Sequence, residues 1–177
     1  LIGSIPHALQ TDQFVLFYQP QYDIQRNSIT GVEALVRWQH PSKGLLGPAS
    51  FIREIERTAL IHPFTKWVLK TALEQLKVWL AADYQIIVSV NISAKNLKDK
   101  DLIPFLKKEI ARTGINPSYL ALEVTESTVM DDYQNAVIVL SAIRALGVRI
   151  CIDDFGTGFT SLSCLKELPV DNVKVDR

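Results

Sequence analysis

Short strand patterns alternate with amphipathic helix patterns along the chain, and this alternation limits the possible folds more than any other feature. Six runs predict strands, at residues 14–19, 30–37, 86–91, 120–125, 149–153 and 172–176. Helical spacing of apolar residues predicts helices over about 68–80, 101–113 and 132–146. Strands that alternate with helices indicate an α/β fold with a parallel sheet, either open or closed into a barrel.

The first two predicted strands are too close in sequence to be parallel neighbours. Only about ten residues, 20–29, separate them. A parallel crossover takes roughly a dozen residues or more. We therefore expect an antiparallel hairpin here, with its turn at the Asn27-Ser28 step.

Length and charge exclude several classes of protein. The 177 residues suit a single domain that spans the whole chain. Lysine plus arginine equals aspartate plus glutamate at 19 each, so the absence of net charge disfavours binding to a nucleic acid polymer. No apolar run is long enough to cross a membrane. Cys151 and Cys164 form neither a disulfide framework nor a zinc pattern, which favours a reducing, cytoplasmic setting.

Polar residues recur on one face of successive predicted strands. Side chains alternate between the two faces of a strand, so each strand can be sorted by parity. One face is aliphatic, and the other carries a polar residue, mostly near the carboxyl end: Glu33, Asn91, Glu123, Asp153 and Lys174. On a single strand, exposure to water would explain such a residue. Repetition over several strands instead favours one convergent site at the carboxyl end of a barrel.

The residue types at this site indicate a hard metal ion. Glu33, Glu123, Asp153 and Asp154 would repel one another without cations, and Asn91 adds a neutral oxygen. Oxygen ligands suit magnesium, manganese or calcium. None of these strand ends carries a histidine, so the residues do not indicate a zinc site. Two-metal carboxylate sites serve phosphoester displacement. The residues alone leave open a metal-dependent lyase or a phosphoester hydrolase, with Lys174 orienting water, stabilising charge or pairing with a carboxylate.

An ordered set of motifs resembles a known family. Glu33-Ala34-Leu35, followed by Val36-Arg37-Trp38, resembles the signature of EAL domains, the cyclic di-GMP phosphodiesterases. The other matching segments follow in the family's order: YQP at 18–20, residues 51–61, SVNIS at 89–93, LEVTES at 122–127, DDFGTG at 153–158 and KVD at 174–176. Each motif alone is weak, but the ordered set spans nearly the whole chain.

The resemblance implies a fold, a reaction and a cofactor. The fold would be a TIM-like (β/α) barrel with an antiparallel first strand. The reaction would be hydrolysis of one phosphodiester of cyclic di-GMP to linear pGpG, with Mg²⁺ or Mn²⁺ as cofactor and two ions in the site. A homodimer is also implied as a possible assembly, as is a parent protein attached to a membrane through other domains.

The resemblance also implies residue roles, by position in the motifs. The implied metal ligands are Glu33, Asn91, Glu123, Asp153 and Asp154; the implied catalytic residues are Lys174, Asp154 and Glu126; the implied substrate contacts are Gln19 for guanine and Arg37 for phosphate. Glu126 would hold the loop that runs from Asp154 to about Ser163. An arginine fork suits a phosphate group, although a salt bridge at the barrel mouth is the structural alternative for Arg37.

The chain departs from the family pattern in three places. Arg57 and Ala59 stand where an acidic residue and a glycine are commoner, and Phe159-Thr160 stands where tyrosine and serine are commoner. The family barrel has eight strands, whereas six are predicted here. We therefore expect the last two strands, about 60 residues, and the general-base glutamate within them to be missing from this chain. The chain alone is accordingly expected to be inactive.

Two alternatives compete with an active phosphodiesterase. The first is a sensor module of the same fold that binds cyclic di-GMP without cleaving it. The second is a different barrel enzyme, a metal-dependent enolising lyase with Lys174 as its base. Degenerate sensors usually lose metal ligands, and the sequence retains every ligand position within the matched span.

Overall fold

The computed structural model describes residues 2–156 and 167–175. Within them, one sheet contains β1 (Phe14–Asp23), β2 (Ser28–His40), β3 (Gly44–Leu46), β4 (Ile87–Asn91), β5 (Leu120–Thr125), β6 (Arg149–Phe155) and β7 (Asn172–Val175). The α-helices are α1 (Ile5–Gln10), α2 (Ile52–Glu56), α3 (Ile61–Ala81), α4 (Ala94–Leu97), α5 (Leu102–Thr113), α6 (Glu126–Asp131) and α7 (Tyr133–Ala145). None of these helices is both long and apolar enough to cross a bilayer.

The first two strands form the antiparallel hairpin that the sequence predicts. β1 ends at Asp23 and β2 begins at Ser28, so the connection consists of residues 24–27. Asn27 has a φ of +54°, a left-handed conformation that asparagine tolerates. The Asp23 carboxylate accepts hydrogen bonds from the backbone N–H groups of Gln25 and Arg26, which fixes the turn. Ser28 belongs to β2, so the turn ends one residue earlier than predicted.

The remaining long strands are parallel, in the order β2-β4-β5-β6-β7. The connections β2–β4, β4–β5 and β5–β6 contain α3, α5 and α7 respectively, and each is long enough for a parallel crossover. The short strand β3 pairs antiparallel with the end of β2 and lies off the main order. The predicted α/β class and the reversed first strand are therefore confirmed.

The long helix α3 forms because its apolar residues lie on one side. Its buried side chains recur at helical spacing: Ile61, Phe64, Thr65, Val68, Leu69, Ala72, Leu73 and Leu76. The helix begins seven residues before the predicted start near Val68. The two later helices match the sequence closely. Gly114, in the left-handed conformation, caps the end of α5, and Asp132 caps the start of α7, where its side chain accepts a hydrogen bond from the backbone N–H of Asn135.

The core fills the space between the aliphatic strand faces and these helices. The parallel strands β2, β4, β5 and β6 bury the face that parity assigns to them: Val32, Ala34 and Val36; Val88 and Val90; Leu120, Leu122 and Val124; Ile150 and Ile152. On β7 the aliphatic residues Val173 and Val175 are exposed instead. An aromatic cluster of Phe14, Trp38, Phe51 and Phe64 joins β1, β2 and α3, with ring centroids 5.0–6.3 Å apart. The start of β1 is thereby fixed against the end of β2.

Some elements differ from the prediction. β3 and the short helices α1, α2, α4 and α6 were not predicted, because three to six residues are too few to show a period. The predicted strand at 86–91 begins at Ile87, and the one at 172–176 is described only to Val175, since Asp176 lies outside the described residues. The loop prediction for residues 157–163, Phe159-Thr160 and Cys164 also fall outside them.

Candidate functional site

Three adjacent parallel strands bring the predicted ligands side by side. In the strand register, Glu33 of β2 lies opposite Ser89 of β4, and Asn91 of β4 lies opposite Glu123 of β5. Because side chains alternate, these residues point to the face of the sheet that the aliphatic core does not use. The alternation in the sequence thus places Glu33, Asn91 and Glu123 on one face, and the strand register makes them neighbours.

Direct hydrogen bonds connect four of the predicted site residues. Asn91 Nδ2 donates to Glu33 Oε1 at 2.8 Å. Lys174 Nζ, from β7, donates to Glu123 Oε2 at 2.6 Å and to Glu33 Oε2 at 3.4 Å. We call Glu33, Asn91, Glu123 and Lys174 the strand-end cluster. Its members are up to 141 residues apart in sequence, so the fold alone assembles them.

Glu123 is the most deeply enclosed member of the strand-end cluster. Its side chain is 0% exposed, against 21% for Glu33 and 32% for Lys174. Burial raises the pKa of Glu123, although the hydrogen bond and charge of Lys174 oppose that rise. The nearby Ser89 side chain also lowers the pKa of Glu123, but the Oε1 atom has no close hydrogen-bond partner among the described residues. A buried carboxylate oxygen without a partner is costly, so this atom fits a position beside a cation.

Lys174 is held in its charged form by the carboxylates around it. Burial lowers its pKa, but the hydrogen bond to Glu123 and the charges of Glu123, Glu33 and Asp153 outweigh burial and raise the pKa overall. Behind the cluster, burial and then the charge of Glu123 raise the pKa of the Cys151 thiol to about 11. The site therefore combines one enclosed carboxylate, Glu123, with an excess of negative charge.

The remaining predicted residues at the end of β6 lie at the edge of the cluster. Asp153, opposite Thr125 in the register, contributes charge at Lys174 without an ion pair to it. Asp154 adopts a φ of +54°, and its backbone N–H donates to Asp153 Oδ1 at 3.0 Å. Glu126 is buried and accepts a hydrogen bond from the backbone N–H of Gly156 at 2.9 Å. Glu126 thus contacts Gly156, which belongs to the loop that it was predicted to hold.

The predicted substrate contacts lie on the same face, on β1 and β2. Gln19 is exposed opposite Glu33, and Arg37 lies opposite Val15. No ion pair joins Arg37 to a carboxylate within the part of the chain that the structure describes. Instead, its Nη1 donates to the carbonyl of Val36, and its guanidinium lies over the Phe17 ring, 5.6 Å from the centroid. The salt-bridge alternative for Arg37 is absent among these residues.

Phe17 is a site neighbour that the sequence analysis missed. It is 48% exposed on β1, opposite Leu35. Parity could have identified it, because Phe17 shares its strand face with Gln19. An aromatic residue that falls on the polar face of a predicted strand indicates a site neighbour better than an aromatic residue considered without its strand face.

The donor chemistry fits a hard divalent ion only in part. Glu33, Asn91 and Glu123 offer oxygen atoms, and Oε1 of Glu123 is an orphaned buried acceptor. Among residues 2–156 and 167–175, however, no three histidine, cysteine, aspartate or glutamate side chains are already arranged around one metal position. The ammonium of Lys174 lies between the two glutamates instead. Metal binding would therefore have to displace Lys174 from at least one carboxylate.

A cavity of about 530 Å³ adjoins the cluster on the side of α2 and α3. Leu35, Asn91 and Thr125 contribute to its sheet side, and Arg53 and Glu56 of α2 contribute to its rim. Asn91 is the predicted ligand that lines both the cavity and the strand-end cluster. The cavity therefore offers room for a ligand beside the cluster, in contact with Asn91 but not lined by Glu33, Glu123 or Lys174.

Comparison with known protein families identifies this arrangement. The EAL domain model matches residues 2–177. The chain belongs to the EAL domain family.

Curated relatives of this EAL domain are longer signalling proteins. Signaling protein YkoW of Bacillus subtilis (strain 168) is 42% identical over 170 residues, which are 96% of this chain and 21% of that protein. The bifunctional diguanylate cyclase/cyclic di-GMP phosphodiesterase MucR of Pseudomonas aeruginosa is 42% identical over 180 residues, which cover 100% of this chain and 26% of MucR. The chain thus spans about a quarter of the length of these relatives.

Solved structures confirm the TIM-like fold of this EAL domain. The structure of the PaMucR phosphodiesterase in complex with c-di-GMP superposes on this chain with a TM-score of 0.95 at 40% identity. The superposition covers 99% of this chain and 71% of the PaMucR chain. The mixed sheet with an antiparallel first strand is therefore the family's fold.

Proposed function

We propose that this EAL domain hydrolyses one phosphodiester bond of cyclic di-GMP and releases linear pGpG. The strand-end cluster carries the proposal, because it combines two carboxylates, an amide oxygen and a cation on the face predicted for the site. The names of related proteins support it: MucR is described as a cyclic di-GMP phosphodiesterase, and the PaMucR structure holds c-di-GMP.

We assign the cofactor as Mg²⁺ or Mn²⁺, with two ions in the active state. Glu33, Asn91, Glu123 and Asp153 would hold the first ion, and Asp154 would contribute to the second. When bound, such ions supply positive charge that polarises a phosphoester and promotes ionisation of water. The orphaned Oε1 of Glu123 supports this assignment, since it is enclosed and has no other partner among the described residues.

The chain's own residues prepare the site for this chemistry. The hydrogen bond from Asn91 fixes one oxygen of Glu33 and leaves the other oriented towards Lys174. Lys174 supplies a positive charge where negative charge would develop on the substrate phosphate. Arg37 would bind a phosphate oxygen, and the exposed Gln19 would contact guanine. Glu126 would hold the loop after β6 through the N–H of Gly156.

A cleavage assay with a matched pair of variants tests the proposal. The purified whole protein is incubated with cyclic di-GMP and Mn²⁺, Mg²⁺ or EDTA, and chromatography follows the formation of pGpG. We expect metal-dependent turnover that Glu33→Gln abolishes. Glu74→Gln, which changes an exposed glutamate on α3, is expected to leave turnover unchanged. Equal turnover in EDTA, or in Glu33→Gln, would contradict the assignment.

The same assay separates the two competing functions. Binding of cyclic di-GMP without product supports a sensor module, in which the cluster would hold the ligand but not cleave it. If the protein neither binds nor cleaves cyclic di-GMP, the result would favour the metal-dependent lyase, with Lys174 as its base. The family membership and the intact ligand positions favour the phosphodiesterase over both.

We also propose a cytoplasmic location and a homodimeric state for the active protein. The location is supported by the unpaired, buried thiol of Cys151, which suits a reducing compartment. Light scattering of the purified protein tests the oligomeric state, and fractionation of cells tests the location.

A further inference from the structure

We propose that Phe17 is a positioning residue that holds the Arg37 guanidinium ready for a substrate phosphate without neutralising its charge. This inference rests on the proposed function, because it assigns Arg37 to the phosphate of cyclic di-GMP. It concerns an aromatic side chain on β1 that lies outside the motifs matched in the sequence.

The strand pairing places Phe17 next to Arg37. Phe17 lies opposite Leu35, and Arg37 lies opposite Val15, so the two side chains are diagonal neighbours on one face of the hairpin. Diagonal neighbours in an antiparallel pair are within reach of long and aromatic side chains. The observed 5.6 Å between the guanidinium carbon and the ring centroid is within the range of a cation–π interaction.

The partners of Arg37 determine what is left for a ligand. A flexible arginine loses rotamer entropy when it is immobilised, so holding it beforehand favours binding. A carboxylate could hold it, but would also occupy the charge and the in-plane donors. Here the ring and the Val36 carbonyl hold the side chain, and no carboxylate of the described residues forms an ion pair with it. Most of its N–H donors therefore stay available for phosphate oxygens.

The exposure of Phe17 is also explained by this role. A phenyl group that is 48% exposed contributes little to the core. Its neighbours on the same strand face are Gln19 and, across the hairpin, Leu35 and Arg37. An aromatic side chain at this position adds little stability to the fold, but it supports the residue that we assign to the phosphate.

Binding and NMR measurements on the whole protein test the inference. Phe17→Leu removes the ring and keeps an apolar side chain, whereas Phe17→Tyr keeps the ring. We expect Phe17→Leu to weaken cyclic di-GMP binding about two- to five-fold, measured by calorimetry in EDTA so that no turnover occurs. Phe17→Tyr should bind like the wild type. Tyr22→Leu, an exposed aromatic residue further along β1, is the matched control and should also leave binding unchanged.

A second readout separates this inference from the proposed function. In ¹⁵N NMR without ligand, the Nε–H signal of Arg37 should lose its ring-current shift and become more mobile in Phe17→Leu. If the wild type fails to bind cyclic di-GMP but Arg37 responds in this way, the proposed function fails and the positioning role stands. An unchanged Arg37 signal overturns the inference. So does an equal loss of affinity when Phe17→Leu is added to Arg37→Ala, because the ring would then act independently of the arginine.

Discussion

Replacing Lys174 with methionine should destabilise the metal-free protein and tighten its binding of a divalent ion. Methionine has a similar length but no charge, so the change removes the ammonium that joins Glu33 and Glu123. Glu123 would be left as an enclosed carboxylate with no compensating charge. The two effects have opposite signs because Lys174 and a metal ion would compete for the same oxygens.

The magnitude follows from the burial of the two partners. Removing one partner of a fully buried ion pair costs about 3–5 kcal/mol. Glu123 is completely enclosed, but the Lys174 side chain is 32% exposed, so water weakens the pair. We therefore expect Lys174→Met to lower the free energy of unfolding by about 2–3 kcal/mol in EDTA. Loss of a neighbouring positive charge should tighten Mn²⁺ binding about ten-fold or more.

Two assays measure these effects in the whole protein. Urea unfolding in EDTA gives the stability, and electron paramagnetic resonance of free Mn²⁺ gives the affinity. Lys70→Met is the matched control, since Lys70 is exposed on α3. Adding Glu123→Gln to Lys174→Met should restore much of the lost stability, because no uncompensated buried charge then remains. If stability and Mn²⁺ affinity are both unchanged in Lys174→Met, Lys174 is not the internal counter-ion of this site.

Four further changes test other parts of the protein. Glu33→Ala and Asp153→Ala should each abolish metal-dependent cleavage with an unchanged circular dichroism spectrum, and retained turnover would remove them from the ligand set. Arg37→Ala should weaken cyclic di-GMP binding by calorimetry more than it weakens Mn²⁺ binding, because a guanidinium attracts a phosphate and repels a cation; equal losses would indicate a structural role. Burial raises the pKa of Tyr18 to about 12, so its contribution to stability is complete below about pH 10 and is lost as the pH rises through 12. Tyr18→Phe should therefore flatten the fall in urea stability between pH 10 and 12, and an unchanged slope would show that Tyr18 ionises normally.

The long-range placement of the site could be predicted from short-range patterns. Alternation placed Glu33, Asn91 and Glu123 on one face of their strands, and the parallel register then made them neighbours. The ten-residue separation of the first two strands predicted the hairpin correctly. These features follow from backbone geometry, which repeats every two residues in a strand and is therefore visible in the sequence.

The details of contact and burial could not be predicted. Nothing in the sequence distinguishes Glu123, which is fully enclosed, from Glu33, which is partly exposed, because burial depends on how β7 and the helices pack around them. The reach of Lys174 across three intervening strands to Glu33 depends on the curvature of the sheet. The contact between Phe17 and Arg37 depends on a diagonal register across the hairpin.

Because β1 runs in the reverse direction, the segment that precedes it lies next to the site. All the parallel strands approach the site with their carboxyl ends, whereas β1 has its amino-terminal part there, with Val15 opposite Arg37. The residue before this strand, Gln13, binds the indole N–H of Trp38 through its side chain and the N–H of Gln39 through its carbonyl. A displacement of α1 would therefore reach Val15, the residue opposite Arg37, through residues 11–14. A movement at the amino-terminal end of β1 would therefore be transmitted to Arg37.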